Sequence, residues 1–237
     1  MKKKIMASLL VGSAVVGASL APLSAQAVTT GNTPVTVGVE GGSLPDVSGD
    51  PNTVRPDPGA TNSNFDLLFI PREYDFGKLS ISDDLTKPIL NKRDGGFNGH
   101  IETVGIGDLR GTKEGWHVTA QSDGMKLGDE SLAGNITVGS AGFYALKYDE
   151  NTNQYASQGT TIDTGGARPE ALNPNLWNLP LAGDAVLVAN ATSGKGQGIW
   201  GLSMFDTALN ITTSAYDIKA GAYTGNITWN LVAGPSI

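Results

Sequence analysis

The sequence predicts an all-β protein: an antiparallel β-sandwich of two packed sheets with long loops. Three observations carry this. First, short runs alternate apolar and polar residues, the spacing that sends successive side chains to opposite faces of a strand. Tyr223–Val232 is the clearest, with Tyr223, Ile227, Trp229 and Leu231 on one parity and Thr224, Asn226, Thr228 and Asn230 on the other. Second, the chain has 32 Gly and only 16% charged residues. Its Thr, Asn and Val content suits short strands and tight turns rather than helices. Third, each Trp is followed two residues later by an aliphatic residue: Trp116/Val118, Trp177/Leu179, Trp200/Leu202 and Trp229/Leu231. On a strand both members of such a pair share a face, and the polar alternation points that face at the core.

The N-terminus is read separately. Met1-Lys2-Lys3-Lys4 is a basic start, Ile5 to Leu20 is apolar, and Ala25-Gln26-Ala27 is a small-x-small cleavage site. This is the pattern of a secretory signal peptide over residues 1–27, followed by a tail over 28–32. As a membrane anchor the run is short of the roughly 20 apolar residues a span needs. No second apolar run follows, so the mature chain is expected to carry no membrane span. Losing Lys2, Lys3 and Lys4 takes the balance from 16 basic against 23 acidic residues to 13 against 23, net −10. Such a surface repels nucleic acid and anionic lipid, so neither is an expected partner. The chain has no Cys, which removes thiol nucleophiles, zinc–thiolate sites and disulfides. The core alone must hold the domain, expected over 33–237, and its length is ample for one.

Taken in order, Thr33–Val39 alternates and is expected to be the first strand. Leu44–Asn64 carries Pro45, Pro51, Pro56 and Pro58 among Asp, Asn, Gly and Ser, and 45–64 reads as an exposed, mobile insertion. Phe65–Ile70 is a strand stopped by Pro71, and Leu79–Ser82 is short and extended. Lys87–Gly99 reads as a loop, His100–Ile106 as extended. Trp116–Gln121, Asn135–Val138 and Gly142–Tyr148 are strands. Asp149–Asn153 turns, Tyr155–Ile162 returns, and Gly165–Pro174 is a loop. Ala185–Ala189 has the continuous apolar character of a central strand. Ile199–Phe205, Leu209–Thr213 and Tyr223–Val232 complete the set.

Four blocks in this order resemble the WxL-domain surface proteins of low-GC Gram-positive bacteria. They are Asp66–Gly77, Asp108–Trp116 (Asp-x-Arg-Gly-Thr-x-x-Gly-Trp), Gly194–Trp200 (a Gly-rich turn before a Trp) and Thr228–Leu231 followed by Pro235. The resemblance marks Trp116, Val118, Trp229 and Leu231 as the two Trp motifs, serving binding or core. It marks Asp108, Arg110, Gly111, Gly196, Gly198 and Trp200 as family-block residues. Val118 stands where the family usually has Leu, a change that keeps an aliphatic side chain. The resemblance implies a secreted protein held non-covalently on the peptidoglycan of the cell wall. A rival reading, also implied by the family, is an assembly subunit that mainly binds other WxL proteins or a membrane-anchored surface partner.

The remaining motifs point to no chemistry. Gly196–Gly201 formally matches GxGxxG, but an alternating strand follows where a dinucleotide site needs a helix N-terminus. Asp149–Asn153 has calcium-like spacing, yet Gln154 replaces the Gly and Thr160 the bidentate Glu that a calcium loop requires. His100 and His117 stand without a GxSxG or HExxH partner motif. Acids are plentiful enough for a glycosidase pair drawn from any two loops, but no local signature marks one. No enzyme activity, cofactor or metal is therefore expected. Asp108 and Arg110 flank a turn, where pairing with each other or a carbonyl is the structural reading and a wall or partner contact the functional one.

Overall fold

The computed structural model describes residues 32–92, 101–159, 164–172 and 177–236. The expected signal peptide, and all but the last residue of the 28–32 tail, lie outside them, as does His100. Strand is the dominant element, and the one short 3-10 turn among the described residues is Ala215–Asp217. Among the described residues sixteen strands form: β1 (Thr53–Val54), β2 (Phe65–Pro71), β3 (Ile89–Leu90), β4 (Glu102–Asp108), β5 (Trp116–Ser122), β6 (Met125–Leu127), β7 (Glu130–Leu132), β8 (Gly134–Thr137), β9 (Ser140–Asp149), β10 (Gln154–Ser157), β11 (Glu170–Ala171), β12 (Asn178–Pro180), β13 (Val186–Ala191), β14 (Gly198–Phe205), β15 (Ala208–Ile211) and β16 (Ile227–Ala233).

Every ladder is antiparallel. A six-stranded sheet runs β1-β2-β4-β14-β9-β10, one four-stranded sheet β11-β13-β5-β16, and another β12-β8-β15-β3, with β6-β7 as a separate hairpin. The all-β class stands, but the strands divide among more sheets than the expected two. Trp116 of β5 meets Phe143 of β9 edge to face, with ring centroids 5.9 Å apart. This joins the sheet of β5 and β16 to the six-stranded one. The main core lies around that contact and includes Val104, Ile106, Val118, Trp200 and Leu202.

β4 is buried along its whole length. One face, Val104 and Ile106, enters the main core. The other carries Gly105 and Gly107, where a Cβ would fall 2.4 Å from the Phe69 ring and 2.5 Å from Leu44. Those absent side chains let Phe69 and Leu44 settle on the sheet and build a second core with Leu68, Leu146 and Tyr155. A strand covered on both faces loses the alternation that would mark a half-exposed one.

That second core corrects the reading of 45–64 as an exposed insertion. Asn52 and Thr53 are buried, β1 pairs with the end of β2, and Gly49 lies under the Phe69 ring. Tyr155 Oη and Asn62 Nδ2 both donate to the Pro45 carbonyl at 2.8 Å. Arg55 pairs with Asp46 at 3.4 Å. The segment's longest continuously exposed run is residues 56–61. The prolines fix an irregular path, and side-chain bonds supply the polar partners that a ladder would otherwise give.

Other departures are local. Thr33–Val39 alternates but forms no strand, and Leu79–Ser82 is an exposed turn region. Two-residue strands lie inside the expected loops at Ile89–Leu90 and Glu170–Ala171, and β6, β7 and β12 were not anticipated.

Candidate functional site

The two Trp motifs lie side by side. β16 pairs with β5 so that Leu231 faces Val118, Trp229 faces Ala120, and Trp116 faces Ala233. The aliphatic residues therefore meet at the centre while the two indoles sit at opposite ends. Trp116 and Val118 are fully buried, whereas Trp229 keeps 9% of its surface and Leu231 is half-buried. β16 is an edge strand, so its apolar face is only partly covered.

A third Trp joins through one carbonyl. Trp116 Nε1 donates to the Gly196 oxygen at 2.9 Å, and Trp200 Nε1 donates to the same oxygen at 3.1 Å. Trp200 also reaches the Gln197 oxygen at 3.3 Å. A buried indole N–H needs an acceptor, and here two share one. The turn that aims this carbonyl uses positive φ at Gly194, Gly196 and Gly198, a region open to Gly at little cost. At Gly196 a Cβ would collide with Trp116 and Ala191, whereas at Gly194 there is open space. The glycines before Trp200 thus permit the turn and, at Gly196, make room for the first motif.

The Asp108–Trp116 block folds into a second lock. Arg110 Nε and Nη2 donate to the two oxygens of Asp108, each at 2.8 Å. Arg110 also bonds Glu114, reaches the Gly115 carbonyl at 3.2 Å, and lies 3.7 Å over the Phe65 ring. A bidentate guanidinium pair with an aromatic beneath it is the strong form of an ion pair. The bonds to Asp108 hold the Arg110 guanidinium even more firmly protonated than usual. Asp108 is buried, so this arrangement ties the start of β2 to the turn before Trp116. Gly111, with φ +79° and no neighbour near its missing Cβ, supplies only the turn.

Trp229 borders two clefts. One, of about 250 Å³, has Trp229, Asn230 and Leu231 on one side and Phe65, Leu67 and Asn62 on the other. The other, of about 390 Å³, mixes Arg72, Glu73 and Tyr74 with Thr224, Asn226 and Trp229. Burial, and then Glu102, push the Tyr74 phenol well above its ordinary range, so it is a neutral group on the cleft wall. Asn226 is held by Asp123, whose carboxylate accepts from its backbone N at 2.6 Å and its Nδ2 at 3.0 Å. These bonds hold the Asp123 carboxyl below its usual range. A third, apolar cleft of about 670 Å³ lies elsewhere, between Phe76–Ile81 and Ile218–Tyr223.

The structure therefore brings Trp116, Gly196 and Trp200 to one point and Asp108 and Arg110 to another, and it sets Trp229 and Leu231 at an edge beside the clefts. His117, on the opposite parity, donates through Nδ1 to the Gly234 carbonyl at 2.9 Å. Among the described residues no three His, Asp or Glu side chains gather as a metal site would need. The cleft residues Arg72, Glu73, Tyr74 and Thr224 carried no sequence signal as a group. They come together only when the segment after β2 meets the approach to β16.

The chain is thus an all-β domain with two adjacent Trp strands and clefts along an edge strand. The chain matches the model of the WxL domain, a surface cell wall-binding domain, over residues 26–235. It belongs to that family, and its place is the cell wall at the cell surface. No curated protein and no solved structure matches the chain. No described helix is long and apolar enough to cross a membrane.

Proposed function

We propose that the chain is a secreted protein that attaches non-covalently to peptidoglycan, without catalysis, through the cleft of about 390 Å³ beside Trp229. The observation that carries this reading is the position of the distal Trp. Trp116 and Trp200 are sealed in the core, while the rim of Trp229 reaches a cleft that also offers a guanidinium, a carboxylate, amide and hydroxyl groups, and tyrosine rings. Glycan strands and stem peptides present hydroxyls, amides and carboxylates over apolar ring faces, and this lining answers each of them. A second reading, an assembly subunit for other WxL proteins or a membrane-anchored partner, is favoured by the larger apolar cleft, where Leu79 and Ile81 are exposed.

Co-sedimentation with purified sacculi tests the first reading. Arg72 and Glu73 are exposed, so Arg72→Ala/Glu73→Ala should keep the melting temperature and bind sacculi more weakly. Undiminished binding by this variant would remove the cleft from the reading. Denaturant or concentrated salt should release the wild-type chain from walls. Release only by a muramidase would overturn non-covalent attachment.

A further inference from the structure

The longest open strand edge among the described residues belongs to β16, which pairs only with β5. The ladder continues past both strand ends, with Asp123 N donating to Asn226 O at 3.1 Å and Gly234 N to Gly115 O at 3.0 Å. In an antiparallel pair the bonded positions alternate. Even-numbered residues of β16 therefore turn their backbone groups toward β5, and Ile227, Trp229, Leu231 and Ala233 turn theirs outward. No described residue bonds those outward groups. Proteins usually defend such an edge with a charge, a proline or a bulge. Ile-Thr-Trp-Asn-Leu-Val-Ala has none of these, and its ladder runs without a register shift.

The chain also carries a strand-like segment without a ladder. Thr33–Val39 is uncharged, and apart from Pro34 and Gly38 it is β-branched, with Val35, Val37 and Val39 on one parity. These three valines are 91%, 88% and 90% exposed. Three aligned valines left in water are an unspent driving force for burial.

We propose that Thr33–Val39 of one chain adds as a further strand to the β16 edge of a second copy. The outward groups of Ile227, Trp229, Leu231 and Ala233 supply the backbone bonds. The valines enter the cleft of about 250 Å³ bounded by Phe65, Leu67, Trp229 and Leu231. Strand addition of this kind draws affinity from the main chain and specificity from pockets for alternate side chains. Donor and acceptor are different surfaces, so the contact either propagates head to tail or closes by exchange between two copies. The interaction is separate from wall attachment and does not depend on it.

The test uses the chain from Val28 to Ile237 and two variants. Val35→Asp/Val37→Asp cripples the donor and leaves the edge intact. Ala233→Pro removes an outward N–H without touching the ladder to β5 and cripples the acceptor. In analytical ultracentrifugation the wild-type chain should associate with rising concentration, while each variant alone stays monomeric. Mixed together, the variants should form a one-to-one heterodimer and nothing larger, since each supplies what the other lacks. A synthetic peptide of residues 32–40 should bind a chain that begins at Glu40, and should slow hydrogen exchange at Trp229 and Leu231. A wild-type chain that stays monomeric overturns the proposal, including the case where the segment docks on its own edge. Variants that associate like wild type, or a peptide that leaves the shortened chain unaltered, also overturn it.

Discussion

Gly196→Ala tests whether one carbonyl fixes the junction of β5 and β14. Gly196 has φ +80°, and its Cβ would lie 2.4 Å from Trp116 Nε1, 2.5 Å from the Ala191 Cβ and 2.8 Å from Trp116 Cε2. An L residue in this backbone region is disfavoured by roughly 1–2 kcal/mol. The crowded neighbours are a buried ring and a sheet residue, so the indole must shift, and overpacking of that kind costs about 1–3 kcal/mol. A shifted indole also weakens its bond to the Gly196 carbonyl, and a buried donor left unpaired costs roughly 1–3 kcal/mol. The expected loss is about 3–8 kcal/mol. That is a large share of the roughly 5–15 kcal/mol a domain has in total. Gly111→Ala is the control, because φ there is +79° but nothing lies within 4 Å of the missing Cβ. It should lose only the backbone part, roughly 1–2 kcal/mol. Urea unfolding followed by Trp fluorescence and circular dichroism gives both values if the slopes agree. A Gly196→Ala protein as stable as Gly111→Ala would refute the shared-carbonyl argument.

Trp229→Ala should destabilise by roughly 3–5 kcal/mol, as deletion of a buried aromatic does, and His117→Ala should be mild. Melting temperature and sacculus binding belong on one preparation, since a stable Trp229→Ala chain that fails to bind would make the residue a contact and not a core group. Arg110→Ala strands the buried Asp108 carboxylate, and loss of one partner of a buried pair costs about 3–5 kcal/mol. Arg110→Lys should recover little, because an ammonium cannot make the two-toothed contact or stack on Phe65, and full rescue in thermal unfolding would count against that geometry. The Asp123 carboxyl is held below its ordinary value of 3.8 by bonds from Asn226. A depressed acid stabilises the fold fully above its unfolded value and loses that contribution as pH falls through the folded value. Stability should therefore decline below about pH 3.8, and Asp123→Asn should flatten that part of the acid-unfolding curve; an unchanged curve would dismiss the linkage.

The strand periodicity of β5 and β16 was legible because each is half-covered and so alternates. The blocks around Asp108, Gly194 and Thr228 could be read as a set, and the family match spans them. What the sequence hid was partnership. Nothing near Gly196 announces that Trp116, 80 residues upstream, will share its carbonyl. The Pro-rich stretch looked empty of core because its few apolar residues are scattered. Leu44 and Phe69 nevertheless find room over Gly105 and Gly107, a fit visible only once β4 is in place. The reverse error occurred at Thr33–Val39, where alternation is present without a ladder in the same chain. Short strands such as β6 and β12 span too few residues for any period to register.

β5 occupies an inner position of its sheet, yet one of its two neighbours, β16, comes far later in the sequence. His117 meets Gly234 across 117 residues. A chain synthesised from its N-terminus therefore carries β5 for most of its length before that side can be closed. Contacts so distant in sequence make folding slow, since the loop must be closed before the contacts can help. Until β16 arrives, the fully buried surfaces of Trp116 and Val118 have an incomplete cover, and the growing chain is at its stickiest. A chain cut short of residue 227 should not be a smaller version of this domain but a clumping fragment. The distal motif thus works as a closing latch on the strand that carries the first.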